Sequence, residues 1–376
     1  MAIRRAGRRQ PNGTRSVSGK ALAAGHPRKN VDLDSPEASA IPLRADAAPL
    51  AFVSWLGFVS AIGGEQNTPR EFASEIESLN RSPRMTSRAA TEWRYEKLTW
   101  PEINEAIEMR KVCIIPCGAV EQHGPHLPLD VDLMCPGGIA RGVGEAMRDK
   151  VLVLPHIAYG YTGHVMDFPG TINTHWETFI KQVLDVTKSL AYHGFKKIIL
   201  LNGHGSNMPN LDLAARRTNL ETDAECVLIA WWNLLTVDKT FLPSWRESKF
   251  PGGCSHACEL ETSLYLYLDE DGVRKDKIKS GTIKMNDEDN PFNWVDLFGA
   301  GPGALISWTS SYNDTGVLGD AEKATKEKGE RVFQESVKQL GRFIDYYRDR
   351  PIDVRGRHQS YKPKMPIPWG QYDALP

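Results

Sequence analysis

The chain has 376 residues, 41% of them hydrophobic and 25% charged, with a formal net charge of -1. That length holds one large or two modest domains, since domains run to roughly 100–200 residues. The balanced charge excludes a nucleic-acid scaffold, which carries a basic excess over one face.

Residues 1–31 contain Arg4, Arg5, Arg8, Arg9, Arg15, Lys20, Arg28 and Lys29 and no acid. Such a segment lacks the apolar content to offset its ordering entropy. An apolar run follows at 47–63, AAPLAFVSWLGFVSAIG. It is short for a membrane span, which needs about 20 apolar residues, and too far from the start for an ordinary signal peptide. Residues 1–90 are therefore read as a disordered or low-complexity leader, with an export or anchoring signal as the rival reading. No function is rested on them.

From about Ala90 the pattern changes. Short β-rich runs, VCII at 112–115, VLVL at 151–154, KIILL at 197–201 and CVLIAW at 226–231, alternate with helical patterns at 100–110, 136–147, 176–193, 209–220 and 258–268. Strands alternating with helices predict βαβ units and a largely parallel sheet covered on both faces. Residues 320–348 predict a long closing helix with Val332, Phe333, Val337, Leu340 and Phe343 along one side. The domain is set at 91–350, and the Pro-rich tail, 351–376, is expected to wrap the surface or meet another subunit. Six cysteines, at 113, 117, 135, 226, 254 and 258, show no paired zinc-site spacing and are too sparse for a disulfide scaffold. They read as reduced, mostly buried thiols of a cytoplasmic protein.

Three segments carry the chemistry, each after a strand or at the opening of a helix, where ligand sites of parallel sheets form. The first is GAVEQHGPHLPLDVD at 118–132. Glu121 and His123 are two apart, so in extended backbone they leave on the same side. Gly124, Pro125 and Pro128 force a turn that can return Asp132 to them. Two carboxylates and an imidazole suit Zn, Mn or Fe; the plain alternative is a polar loop with an Asp capping the next helix. The second is NGHGSN at 202–207, whose glycines let His204 approach a ligand; a mere turn with an exposed His is the alternative. The third is SHACELETS at 255–263. Residues i and i+5 do not share a helical face, so His256 and Glu261 act together only if His256 precedes the helix. Glu259 reads as a charge favourable to the helix dipole.

In order and spacing these motifs, with FPGT at 168–171, resemble the creatininase (creatinine amidohydrolase) family over roughly 92–350. The resemblance implies a three-layer α/β/α sandwich, two divalent metal ions per subunit and a homo-oligomer, usually a hexamer. It makes Glu121, His123, Asp132 and His204 metal ligands, with Asp132 bridging. A further ligand expected at Ser206 is missing, and Glu261 is the best replacement. His256 resembles the residue that shuttles a proton, which places His256 and Glu261 among the catalytic residues. His164, Gly205 and Ser206 are expected to face the substrate, His126 to shape its loop, and His175 and His193 to lie on the surface. The implied function is metal-dependent hydrolysis of a non-peptide C–N bond (amide, cyclic amide or formamide) in a small molecule. A keto-inositol C–C hydrolase of the 3-dehydro-scyllo-inosose type and a non-catalytic metal-binding protein are the alternatives. Creatinine itself is not expected: KFPGGC at 249–254 holds no tryptophan where creatininase uses tryptophans to sandwich a flat ring, and Gly205 replaces a bulky residue. Neither a nucleic acid nor a membrane is expected as a partner.

Overall fold

The computed structural model describes residues 87–282, 291–354, 356, 358 and 360. The leader assigned to residues 1–90 lies outside these except for its last four residues, and most of the Pro-rich tail lies outside them too.

After a single helical turn at Arg88–Thr91, helix α1 (Trp100–Glu108) opens on a capping box. Thr99 and Glu102 satisfy each other's backbone N–H groups there, and a proline sits in the first turn. Strands β1 (Val112–Cys117), β2 (Val151–Val153), β3 (Lys197–Asn202) and β4 (Glu225–Ala230) form one sheet in the order β2-β1-β3-β4. All three pairings are parallel. Helices α2 (Val131–Ala146), α3 (Trp176–His193) and α4 (Met208–Glu221) make the crossovers.

Alternation along β1 sorts the layers. Val112 and Ile114 join a core with α2 and with the later helices α6 (Glu259–Leu268) and α7 (Lys326–Asp349). Cys113, Ile115 and Cys117 join a second core with α1, α3 and α4. Helices thus cover both faces of a parallel sheet, and the fold is a three-layer α/β/α sandwich. All six cysteines are free and buried. Among the described residues no helix is long and apolar enough to cross a membrane.

Several boundaries differ from the sequence pattern, among them that of α7, which begins at Lys326 rather than 320. Helix α2 begins at Val131 rather than 136, with Pro136 inside it. Its first turn, Val131–Met134, lies ahead of Pro136, and a proline reads as the opening position of a helix, which set the expected start too late. Two short strand pairs also went unread, namely the β5 (Cys254–His256) ladder with β8 (Leu318–Gly319) and the hairpin of β6 (Val295–Asp296) and β7 (Gly299–Ala300). Strands of two or three residues are too short to show a period. Helix α5 (Phe241–Trp245) is a short turn that buries Phe241 and Trp245.

Candidate metal centre

The two motif loops leave the sheet side by side. Cys117 at the end of β1 is in register with Asn202 at the end of β3, and Gly203 N–H donates to Cys117 O at 2.7 Å. The backbone of Asp132 packs into the notch between them. A Cβ on Gly118 would lie 2.3 Å from Asp132 O, and one on Gly203 2.1 Å from it. Only glycine admits that approach. The turn foreseen after His123 is present, with Gly124 at φ 67° and a bridge between His123 and Leu127. It brings the first turn of α2 back over Glu121.

The third motif folds as its spacing required. His256 ends β5, Glu261 lies in the first turn of α6, and Ala257 between them takes a left-handed φ of 50°. Residues 121, 123, 132, 204 and 261 thereby converge, all buried. His123 Nε2 is 3.3 Å from Asp132 Oδ1 and 3.9 Å from Glu261 Oε1. His204 Nδ1 is 3.0 Å from Asp132 Oδ2, and His256 Nδ1 is 3.6 Å from Glu121 Oε1. The rings of His123 and His256 lie 4.1 Å apart.

Backbone carbonyls fix which nitrogen of each ring faces inward. Glu121 O lies 3.3 Å from His123 Nδ1, Tyr161 O 3.2 Å from His204 Nε2, and Gln122 O 2.8 Å from His256 Nε2. A carbonyl only accepts, so His123 Nδ1 and His204 Nε2 carry hydrogen and their opposite nitrogens turn lone pairs toward the carboxylates. His256 Nε2 also faces the Gln122 side-chain amide nitrogen at 3.0 Å, a donor only, so its tautomer follows which of the two groups it pairs with. Glu121 Oε1, His123 Nε2 and Asp132 Oδ2 are buried with no hydrogen-bond partner. Lone pairs aimed at carboxylate oxygens in a dry interior need protons or a cation between them.

The titration behaviour of the cage agrees. Burial pushes Glu121 up to about 7 and raises Glu261. Burial opposes the charged forms of His123 and His204, yet the carboxylates hold them up at about 10 and about 9. Asp132 resists its burial because both imidazoles keep it below the usual carboxylate range. The cage as it stands borrows protons to neutralise three buried acids, a charge that bound cations would supply instead.

Divalent ions therefore fit the residues present, and the donors fall into groups whose ligand atoms lie within 4.8 Å of one another. Two of these groups, Glu121–Asp132–His204 and His123–Asp132–Glu261, share Asp132; a third is Glu121–His123–His256. Nitrogen and oxygen donors of this kind suit Zn, Mn or Fe.

The remaining expected residues are placed as follows. His164 stacks on His204 with ring centroids 6.0 Å apart, and burial pushes it down to about 4, so it is neutral. Gly205 is exposed, with open space where a side chain would stand, and Ser206 is half-buried beside it. His126 donates to or accepts from Thr262 Oγ1 at 2.9 Å, tying the first loop to α6. His175 and His193 are exposed at the two ends of α3. Glu259 does more than favour a helix dipole: fully buried, it accepts from Glu247 and Ser248 N–H and pairs with Lys328 Nζ at 2.5 Å. Sequence reasoning missed Thr162, whose hydroxyl donates to Glu121 Oε2. It also missed the carbonyl roles of Tyr161 and Gln122, for which side-chain chemistry gives no signal.

The family model described as creatinine amidohydrolase matches residues 96–344. The chain belongs to the creatininase family. Creatinine amidohydrolase of Pseudomonas putida is 29% identical over 250 residues, covering 63% of this chain and 90% of that protein. Mycofactocin precursor peptide peptidase of Mycobacterium ulcerans is 30% identical over 247 residues, covering 64% and 82%. A solved manganese form of creatininase superposes with a TM-score of 0.57 at 27% identity, covering 68% of this chain and 99% of that one. A Zn-Zn-type creatininase mutant gives 0.56 at 27% identity, with 68% and 98% covered. These creatininase-family relatives are hydrolases by name, and creatininase structures are known with manganese and with zinc.

Proposed function

We propose that this creatininase-family protein is a metal-dependent hydrolase that holds two divalent ions and cleaves a non-peptide C–N bond of a small molecule. The observation that carries the reading is the sharing of Asp132 between two donor groups. Glu121 and His204 would hold one ion, His123 and Glu261 the other, with Asp132 on both. A pair of bound cations supplies the charge that lowers the pKa of water from 15.7 to about 7 and polarises a carbonyl.

The chain's own residues then do the following. With Nε2–H on Gln122 O, His256 would turn the lone pair of Nδ1 inward. Burial and the neighbouring His123 hold its pKa well below the ordinary value, so it enters as a neutral base. It takes the proton lost by the attacking water and returns it to the departing nitrogen. His164, stacked on His204, and the open edge at Gly205 and Ser206 border the space left for substrate. The rest of the cage is closed, which excludes bulk water and strengthens its electrostatics. We further propose a homo-oligomer. The family resemblance carries that expectation, and Met166, Ile172, Trp176 and Trp308 are large apolar side chains left exposed.

The test is turnover by protein reconstituted with Mn or Zn against cyclic amides, formamides and keto-inositols in oxygen-18 water. One labelled oxygen in an acid or carbamate product with release of a nitrogen group supports the reading. Label in a product of C–C cleavage favours the inositol alternative, and metal uptake without turnover of any class favours a non-catalytic binder.

A further inference from the structure

We infer that Asn207, the last residue of the NGHGSN motif, is a positioning residue that aims Glu121 and His204 together. The inference rests on the two-ion reading above and assigns a role to a motif residue that the proposed chemistry leaves unused.

Asn207 is fully buried at the end of the turn that precedes α4. Its amide has two different partners. Oδ1 accepts from Tyr161 N–H at 2.9 Å, and Nδ2 donates to Gly118 O at 3.0 Å. The chain is pressed onto it: a Cβ on Gly160 would lie 2.4 Å from Asn207 Oδ1, 2.7 Å from its Nδ2 and 2.5 Å from Gly118 O. One side chain therefore pins three separate stretches of backbone, the loop leaving β1, the 160–162 segment and the turn leaving β3.

Each pinned stretch bears on the same donor group. The 160–162 segment offers Tyr161 O to His204 Nε2 and the Thr162 hydroxyl to Glu121 Oε2. The first contact fixes the His204 tautomer and leaves Nδ1 toward Asp132; the second fixes the rotation of the Glu121 carboxylate. The loop leaving β1 carries Glu121 itself, and the turn leaving β3 carries His204. The other donors are oriented elsewhere. His123 is held by Glu121 O, and Glu261 is carried by α6 beside the His126–Thr262 contact. Removing such an outer hydrogen bond weakens metal affinity about 10–100-fold. Here the loss should fall on the Glu121–Asp132–His204 position and spare His123–Asp132–Glu261.

An aspartate at 207 keeps the shape and the acceptor for Tyr161 N–H, but sets an oxygen against Gly118 O. The experiment titrates Co(II) into metal-free wild type, Asn207→Asp, Thr162→Val and Thr162→Ser. Uptake is followed by calorimetry and visible absorption, and thermal unfolding of each metal-free protein is recorded. The expected result is two equivalents for wild type. Asn207→Asp and Thr162→Val should keep one equivalent at wild-type affinity and weaken the other at least tenfold, and Thr162→Ser should recover the second. Parallel weakening of both equivalents, or unchanged affinity for both, overturns the inference while leaving the two-ion reading standing. If Asn207→Asp does not fold, Gly160→Ala, whose Cβ would stand 2.4 Å from Asn207 Oδ1 and displace the same amide, is read by the same criterion. A wild type that takes up fewer than two equivalents overturns the two-ion reading and this inference with it.

Discussion

His123 Nε2 and Asp132 Oδ1 stand 3.3 Å apart, both side chains buried, and the imidazole nitrogen makes no hydrogen bond. The contact joins the strand-end loop to the first turn of α2. It defines the side of Asp132 that faces away from His204, whose Nδ1 approaches the other oxygen.

Because Asp132 serves both donor groups, Asp132→Ala should abolish uptake of both ions, whereas His204→Ala should remove one. Metal content after dialysis, measured by mass spectrometry, separates the two. Equal stoichiometry in the two variants would contradict a shared carboxylate.

Chelation should lower stability without changing the fold. At a free metal concentration a hundred times Kd, binding adds about 2.7 kcal/mol. Denaturant midpoints with Zn, with Mn and after chelation report it, and identical midpoints in all three would argue against a metal in the core.

His256→Ala should retain its metal and lose about 10²–10⁴ in kcat, the usual range for a removed general acid or base. Its inner nitrogen lies 3.6 Å from Glu121 Oε1. Metal analysis and turnover must be taken on the same sample. If metal is lost along with activity, His256 acts as a ligand and the proton role passes to another group.

Gly203→Ala should destabilise by about 1–3 kcal/mol, the cost of overpacking a close-packed interior. Its Cβ would stand 2.1 Å from Asp132 O, with Pro136 beside it. Displacement of α2 should also weaken metal uptake, and urea unfolding with metal titration checks both effects.

Away from the cage, Glu92 gives a pH prediction. Its carboxylate holds Arg94 at 2.9 and 2.8 Å, and that bond keeps its pKa at about 2 despite burial, against 4.5 for the free group. A carboxylate with a depressed folded-state pKa stabilises fully above its unfolded pKa. That stabilisation is lost as pH falls from 4.5 toward 2. Glu92→Gln should be less stable than wild type at pH 7, with the gap shrinking across this acid window. Urea unfolding at stepped pH would show it, and a constant gap would rule it out.

Much of the domain was legible in local pattern. The four strands of the sheet are fully or partly buried apolar runs, as a parallel sheet covered on both faces requires. The predicted bounds of α3, 176–193, match those observed because its buried residues recur at helical spacing. The residues of the candidate site stood out because each sits in an unusual cluster of Gly, His and acid beside a strand end or helix start. The i to i+5 offset also required His256 to precede its helix if it and Glu261 were to share a site, and it does.

What the chain's order of residues determined, then, was which groups exist, which element carries each, and which family they belong to. Only tertiary structure decided their convergence. The sheet order places β1 beside β3, so loops more than 80 residues apart in number leave the sheet at one level, as the Cys117–Asn202 register records. It decided also that Glu259 meets Lys328 across 69 positions, and that a threonine and three carbonyls line the candidate site. Local periodicity encodes which face of an element is apolar. It carries no information on which backbone atom of a distant segment will lie three ångströms from an imidazole, because packing of the whole core sets that distance.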